Sequence, residues 1–276
     1  MQKTEQISKK FLEQYESQGE IRKYAKGTAG FGINYLLRND YARLYLNTVD
    51  SYLRTSPARP LRLLEFGCGG GMNIIRLVSL LEENGSPVDY AYGTDFSPRM
   101  VQTALQEAKA SLSPTLAGKL SFYVARNERL LDDLAANRAT PPEDLVGSFD
   151  LVVGVNTFRY CHRLGKGADC AADIYSLLRP GGVCVNIDMN DRFPAFRSRF
   201  KDAVRDPAET YIPSLEEYVS PFKTAGFEII TKEHFSWIPH SAGAALTLCC
   251  RLASPLLNLV ARSHAMRSLV VARRPT

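Results

Sequence analysis

Two carboxylates and a cluster of glycines set out the chemistry open to this chain. In Leu61-Arg-Leu-Leu-Glu-Phe-Gly-Cys-Gly-Gly-Gly-Met-Asn-Ile-Ile-Arg-Leu77, Glu65 stands two residues ahead of Gly67, and Gly69 and Gly71 follow at alternate positions. Asp95 comes one strand-and-helix unit later. Glycine reaches positive φ at no steric cost and lets a ligand approach the backbone. The amides that open a helix face whatever lies above the preceding strand end. The dinucleotide fingerprint G-x-G-x-x-G would need a small residue at Met72 or at Ile74, depending on which glycine starts the count. The spacing here is G-x-G-x-G. A carboxylate beside the turn suits a ligand with a cationic head and would repel a pyrophosphate. A glycine-rich turn with no ligand is the other reading.

These residues need strands and helices to position them. The run Leu61, Leu63, Leu64 and Phe66 reads as a buried strand, and Ile74, Ile75, Leu77, Val78 and Leu81 read as the helix after it. Further strands are expected at 88–94, ending at Asp95, and at 120–125, 149–155, 183–189, 227–231 and 268–272. Helices are expected between them: one capped by Ser97 with Pro98 in its first turn, one ending near Asn137, one over 169–178 and one over 214–225 with Gly226 just beyond. Strands alternating with helices give an α/β fold with a mainly parallel sheet. Ahead of this core, helices are expected at about 3–18 and 33–54. They are joined by Lys26-Gly-Thr-Ala-Gly-Phe-Gly32, read as a hinge or lid entry or a plain loop, with Thr55–Pro60 as linker.

The chain has 276 residues, 45% hydrophobic and 23% charged, with a net charge of +5, ordinary for a globule with a large core and no argument for nucleic acid. The first ten residues lack an apolar targeting core, and none of the six cysteines forms a C-x-x-C pair. Reduced thiols, a cytoplasmic setting and no metal site are therefore expected. Residues 241–260 are nearly all apolar, interrupted by Arg251 and Pro255. Leu246, Cys249, Cys250, Ala253, Leu256, Leu257 and Val260 form a stripe, kinked or split at Pro255. A cap packed on the core is the first expectation. A peripheral contact of 241–267 with lipid, Arg251, Arg262 and Arg267 near headgroups, is the second.

Several of these segments, in order, resemble the motifs of class I S-adenosylmethionine-dependent methyltransferases. Leu63-Leu-Glu-Phe-Gly-Cys-Gly-Gly-Gly71 resembles their first motif, and Gly93-Thr-Asp-Phe-Ser97 their acidic second-strand end. Phe149-Asp-Leu-Val-Val-Gly-Val155, Leu177-Leu-Arg-Pro-Gly-Gly182, Ala225-Gly-Phe-Glu-Ile-Ile230 and Ser268-Leu-Val-Val-Ala-Arg273 resemble the later ones. The resemblance covers about 60–275. It implies a Rossmann-like, seven-stranded, mostly parallel sheet with helices on both faces. To this are added an amino-terminal helical lid (1–58) and a helical insertion (about 237–266) within a domain of 59–276. It implies S-adenosyl-L-methionine as methyl donor and S-adenosyl-L-homocysteine as product. The donor would be held by Glu65, Gly67, Cys68, Gly69, Gly71, Asp95 (at the ribose), Phe96, Arg126, Asn127, Val155 and Asn156. Many relatives carry an aspartate after the third strand; here Arg126 stands near that place, and Asn127 is the alternative for the adenine edge.

By the same resemblance, the acceptor faces the ends of the fourth and fifth strands. His162 and Tyr160 are candidates for a base, and Tyr35, Arg159, Asp188, Arg192, Trp237 and His240 for acceptor binding, with Asn190, Phe31 and Tyr41 nearby. Arg192, Arg197, Arg199 and Lys201 could grip an anionic group or form an exposed basic face. Asn156-Thr-Phe-Arg-Tyr160 lacks the Asn-Pro-Pro-aromatic pattern of enzymes methylating nucleic-acid bases or glutamine, so a small or lipophilic acceptor is expected. A nicotinamide-linked oxidoreductase and a non-catalytic assembly or membrane-docking factor are the rivals.

Overall fold

The computed structural model describes residues 30–54, 59–194 and 211–276. The expected helix at 3–18, the residues before Gly30 in the glycine joint, most of the 55–60 linker, and Arg197, Arg199 and Lys201 lie outside the described residues.

Seven strands form one sheet in the order β3-β2-β1-β4-β5-β7-β6. They are β1 (Leu61–Phe66), β2 (Val88–Asp95), β3 (Leu120–Val124), β4 (Phe149–Val155), β5 (Leu178–Met189), β6 (Glu228–Phe235) and β7 (Arg267–Arg273). The first five are parallel, and β7 runs antiparallel between β5 and β6. The order reverses between β1 and β4, which places the crevice of an open α/β sheet above the carboxyl end of β1. β4 matches its sequence reading residue for residue. β5 starts earlier than expected because Leu178 already pairs with Phe149, with a register shift before Val183.

Helices cover both faces. Numbered among the described residues, they are α1 (Phe31–Arg38), α2 (Asp40–Thr48), α3 (Met72–Glu83), α4 (Pro98–Ser111), α5 (Pro114–Ala117), α6 (Leu130–Arg138), α7 (Phe158–Arg163), α8 (Gly167–Leu177), α9 (Leu215–Thr224) and α10 (Ala244–Ala261). Side chains alternate across the strands, so each strand feeds two cores. Leu63, Leu151, Val153, Val183 and Val185 pack with α3 on one face. Leu64, Phe66, Val152 and Cys184 pack with α6, α8 and α9 on the other. Burial on both faces is why these strands read as near-continuous apolar runs. The caps follow the sequence: Ser97 Oγ accepts from Met100 N, and Ser214 forms a reciprocal capping box with Glu217. Gly226 sits at φ +96°.

α1 and α2, expected as part of an amino-terminal lid, do not stand apart from the core. Leu36 and Tyr41 are completely buried and Tyr45 nearly so, in the same core as β1, β4 and β5. Nor do Gly30 and Gly32 serve as a hinge. The Gly32 amide donates to Ala242 O (2.7 Å) and that of Ile33 to His240 O (3.0 Å). A Cβ on Gly32 would come within 2.0 Å of Pro239 O. These glycines let α1 dock against 239–242.

The apolar segment 241–260 departs furthest from expectation. α10 is one helix through Pro255, and Thr247 is its only buried residue. The positions turned toward the body are Thr247, Cys250, Ser254, Leu257 and Ala261, mostly small or hydroxylated, while Leu252 and Leu259 are 72% and 82% exposed. It does not cap the core, because its larger side chains other than Leu257 point away from it. Arg267, expected near this surface, is instead buried in β7.

The docking role of Gly32 is testable. Gly32→Ala forces a methyl group onto a backbone carbonyl and should destabilise the fold by about 1–3 kcal/mol. A melting temperature equal to that of the parent would restore the hinge reading.

Candidate functional site

The turn after β1 is built from three left-handed glycines. Gly67, Gly69 and Gly71 have φ of +61°, +52° and +80°. At Gly67 even a methyl group is excluded, since a Cβ would lie 1.8 Å from Thr157 Oγ1. The turn closes through its own hydrogen bonds: Cys68 N to Thr94 O (2.7 Å), Gly71 N to Cys68 O (2.9 Å) and Gly69 N to Asp95 Oδ2 (2.9 Å). Amides committed in this way do not make a pyrophosphate cradle, in line with the glycine spacing.

Two carboxylates lie under the turn. Glu65 is 2% exposed, and its two oxygens accept from Asn73 Nδ2 (3.0 Å) and Ile74 N (2.8 Å) at the start of α3. Asn73 Oδ1 in turn accepts from the Tyr45 hydroxyl (2.9 Å), which ties α2 to the site. Burial pushes the Glu65 carboxyl up to about 8, against the pull of its hydrogen bonds. Asp95 takes Ser97 N (3.0 Å) on the oxygen not used by Gly69, and burial raises it to about 6. Each carboxylate oxygen can accept a second hydrogen bond. Two acids held in low dielectric beside a backbone cleft fit a cationic group. Cys68 is buried, which raises its thiol well above its ordinary value and leaves it inert as a nucleophile.

Around this turn the candidate donor residues divide. Asn127 is drawn in: its Nδ2 donates to Thr157 Oγ1 (2.7 Å), the hydroxyl that Gly67 nearly touches. Arg126 is turned to Asp133, to which it donates through Nε (2.9 Å) and Nη2 (3.2 Å), a fork-on-carboxylate pair. Phe96 is half-buried just past Asp95, and Val155 ends β4. Thr157 has no place in the sequence reading; its one signal is a hydroxyl two residues past the end of β4.

A second polar group lies at the ends of β4 and β7. Asn156 holds a left-handed backbone at φ +55°, which asparagine tolerates better than most residues. Its Oδ1 accepts from Arg267 Nη1 (3.4 Å), so its amide nitrogen faces His240 Nδ1 (3.4 Å). With Arg267 fixing the amide, His240 presents a lone pair at Nδ1 and carries its proton on Nε2, 3.1 Å from the Tyr41 hydroxyl. Asn156, expected at the donor, thus reaches toward the acceptor side, where it meets His240 and Tyr41.

The other acceptor candidates are engaged elsewhere. His162 Nδ1 lies 2.7 Å from the Tyr211 hydroxyl, and its ring packs by Gly167 and Pro221, away from the Asn156 group. Burial lowers its pKa. Asp188 is completely buried and accepts from the amides of Arg159 (3.1 Å) and Met189 (2.9 Å), with the Arg159 guanidinium 3.7 Å away. Arg159 donates to the Tyr160 hydroxyl (2.6 Å) and lies over its ring. Asn190 ties down Ser263 O and Ala265 O. Arg192 is exposed, Tyr35 packs partly on the core, Phe31 is 52% exposed, and Trp237 Nε1 donates to Asn258 of α10 (2.8 Å). Of these, Asp188 lies close enough to act electrostatically on Tyr41, the partner of His240, while the others have the ion pairs and helix contacts just given.

Residues 64–184 match a family model described as a methyltransferase domain. That stretch is a methyltransferase domain, of the S-adenosylmethionine-dependent type that the sequence motifs resemble. In sequence the domain is similar to a non-reducing polyketide synthase of Stachybotrys chartarum, 33% identical over 135 residues. That stretch is 49% of this chain and spans only 4% of the synthase. In structure the methyltransferase domain is similar to the CMeT domain of a citrinin polyketide synthase, with a TM-score of 0.58 and 19% identity, covering 94% of this chain and 56% of that one. It is also similar to geranyl diphosphate C-methyltransferase from Streptomyces coelicolor, solved with Mg2+, geranyl diphosphate and S-adenosyl-L-homocysteine. There the TM-score is 0.54 and the identity 16%, covering 94% and 85% of the two chains. At such identities the structural likeness speaks for the fold. Both this methyltransferase fold and its Rossmann-like sheet are as the sequence motifs imply.

Thr157 is the hinge of the donor side and can be tested alone. Thr157→Val keeps its shape but strips Asn127 of its acceptor, and should lower stability by about 1 kcal/mol in thermal unfolding. An unchanged melting curve would show that the pair contributes nothing.

Proposed function

We propose that this protein takes a methyl group from S-adenosylmethionine and places it on a small or lipophilic acceptor, at a carbon that first gives up a proton. The observation carrying this reading is His240 facing Asn156 just past β4, its Nδ1 lone pair aimed by Asn156 and its Nε2 proton by Tyr41. The similar proteins lend support, since they include polyketide synthases and a geranyl diphosphate C-methyltransferase. When bound, S-adenosylmethionine supplies an electrophilic methyl carbon on a sulfonium and departs as S-adenosylhomocysteine.

The chain's own residues would divide the work. Glu65 and the glycine turn receive the cationic amino-acid end. Asp95 accepts from the ribose hydroxyls, and Asn127 with Thr157 meets the adenine edge. On the acceptor side, His240 Nδ1 exchanges the Asn156 amide for the acceptor's acidic C–H and takes its proton, while Tyr41 accepts the ring's Nε2–H. Holding the two reactants in line and away from water accounts for most of the rate gain, as in intramolecular models. The sheet end and α1–α2 provide that enclosure.

Four outcomes follow. His240→Ala should lower kcat about 10²–10⁴-fold without changing donor affinity, while His162→Ala should leave turnover within a few-fold. Asp95→Ala should weaken donor binding by roughly 10–100-fold, the loss of a charged hydrogen bond. Donor affinity should also rise with pH from about 6 to about 8, because a cation binds the ionised forms of Asp95 and Glu65 and expels their protons. Calorimetry across that range checks the sign, and a flat profile would remove the two acids from the donor site. Mass spectrometry of products from a 3-oxoacyl thioester, a phenol and an amine, each given with methyl-labelled donor, decides the atom. Label on oxygen or nitrogen alone would defeat the carbon assignment.

A further inference from the structure

The exposed helix α10 has no role in methyl transfer as derived above, and its composition runs opposite to that of a surface helix. Thr247, Cys250 and Ser254 face the body, and every leucine but Leu257 faces outward. Its mean hydropathy of 1.6 over a window that is only 6% buried is enough, in length and composition, for contact with hydrocarbon. Arg251 is the single charge in Ala244–Ala261, and residues 236–267 contain no aspartate or glutamate at all. At 100° per residue, Leu248, Leu252, Leu256 and Leu259 share the outward face, while Arg251 and Asn258 lie together on one flank. The chain's only tryptophan, Trp237, donates to that Asn258. Phe31 stands exposed at the start of α1, whose first amides bond to the 240–242 segment that leads into α10.

We propose that α10 lies in the plane of an anionic lipid bilayer, its leucine face sunk among the acyl chains and Arg251 and Trp237 at the headgroup level. Three features favour a bilayer over a protein partner. Protein interface cores are enriched in aromatic side chains, Met and Arg and are ringed by polar groups. The outward face of α10 offers aliphatic side chains with one basic flank, the pattern of interfacial helices. The complete lack of acids over 236–267 complements a negative surface. The helix does not span the membrane, because one side of it stays against the protein through Thr247 and the Trp237–Asn258 bond. Docking this way sets His240 one short segment from the lipid surface, with Ala242 and His240 carbonyls bonded to α1.

The test needs neither donor nor acceptor. Vesicles of phosphatidylcholine with a minority of phosphatidylglycerol are titrated into the full chain while Trp237 emission is followed, and flotation measures the bound fraction. A blue shift and flotation are expected. Leu252→Glu combined with Leu259→Glu, both at exposed positions, should cut partitioning at least about tenfold while leaving the melting temperature unchanged. Arg251→Glu should weaken binding to the anionic vesicles and leave binding to pure phosphatidylcholine unchanged. No flotation, equal flotation of the double variant, or a vesicle-independent dimer that the double variant dissolves would each overturn the proposal, the last by giving the face to a second copy of the chain.

Discussion

The buried carboxylate of Glu65 is what the rest of the domain depends on. It joins the end of the first strand to the start of the following helix through Ile74 N and Asn73, and Asn73 passes the contact on to Tyr45. An acid so far from water is costly unless its oxygens are met by donors. Here they are met by groups that also fix where the glycine turn runs. The same residue therefore stabilises the crossover, orders the turn and leaves a strongly perturbed acid beside the cleft. Perturbed acids in clefts are where ligand chemistry concentrates.

From this centre the site opens in two directions along the sheet. Toward β2 and β3 lie Asp95, Asn127 and Thr157, bonded to or in near contact with the glycine turn. Toward β5 and β7 lie Asn156, His240, Tyr41 and Arg267, drawn from four separate parts of the chain. The left-handed Asn156 stands between the two halves. A strained asparagine at a strand end is the kind of backbone feature that aims side chains across a site. The parallel sheet supplies the rigid floor, and the antiparallel β7 delivers Arg267 from the far end of the sequence to the edge of that floor.

Outside the site, the molecule balances ordinary packing against one anomaly. Both faces of the sheet are filled with aliphatic and aromatic side chains, and the helices on them present apolar stripes of the usual kind. Among the described residues, α10 alone reverses this arrangement. In water each exposed leucine forgoes roughly 1.5–3 kcal/mol of burial. Large exposed apolar patches mark surfaces that meet something other than water.

The sequence by itself determined the core strands and the helices between them, the glycine turn, the two acids and most caps. Each of these is written locally: an apolar run has a period, a cap has a hydroxyl, a tight turn needs glycine at a fixed place. It also carried the fold, because several local signals in the right order leave few topologies open. What it did not determine is which side chains meet. Arg126 and His162 look like site residues along the chain, yet Asp133 and Tyr211 hold them. Arg267, expected at a lipid surface, and Asn156, expected at the donor, instead meet each other beside His240 and its partner Tyr41. The same holds for α10, whose apolar pattern fits a buried cap and an exposed lipid-facing helix equally well. Only the tertiary structure decides such cases, since pairing depends on distances between segments far apart in sequence. An apolar side chain shows no preference for the core over any other water-free surface.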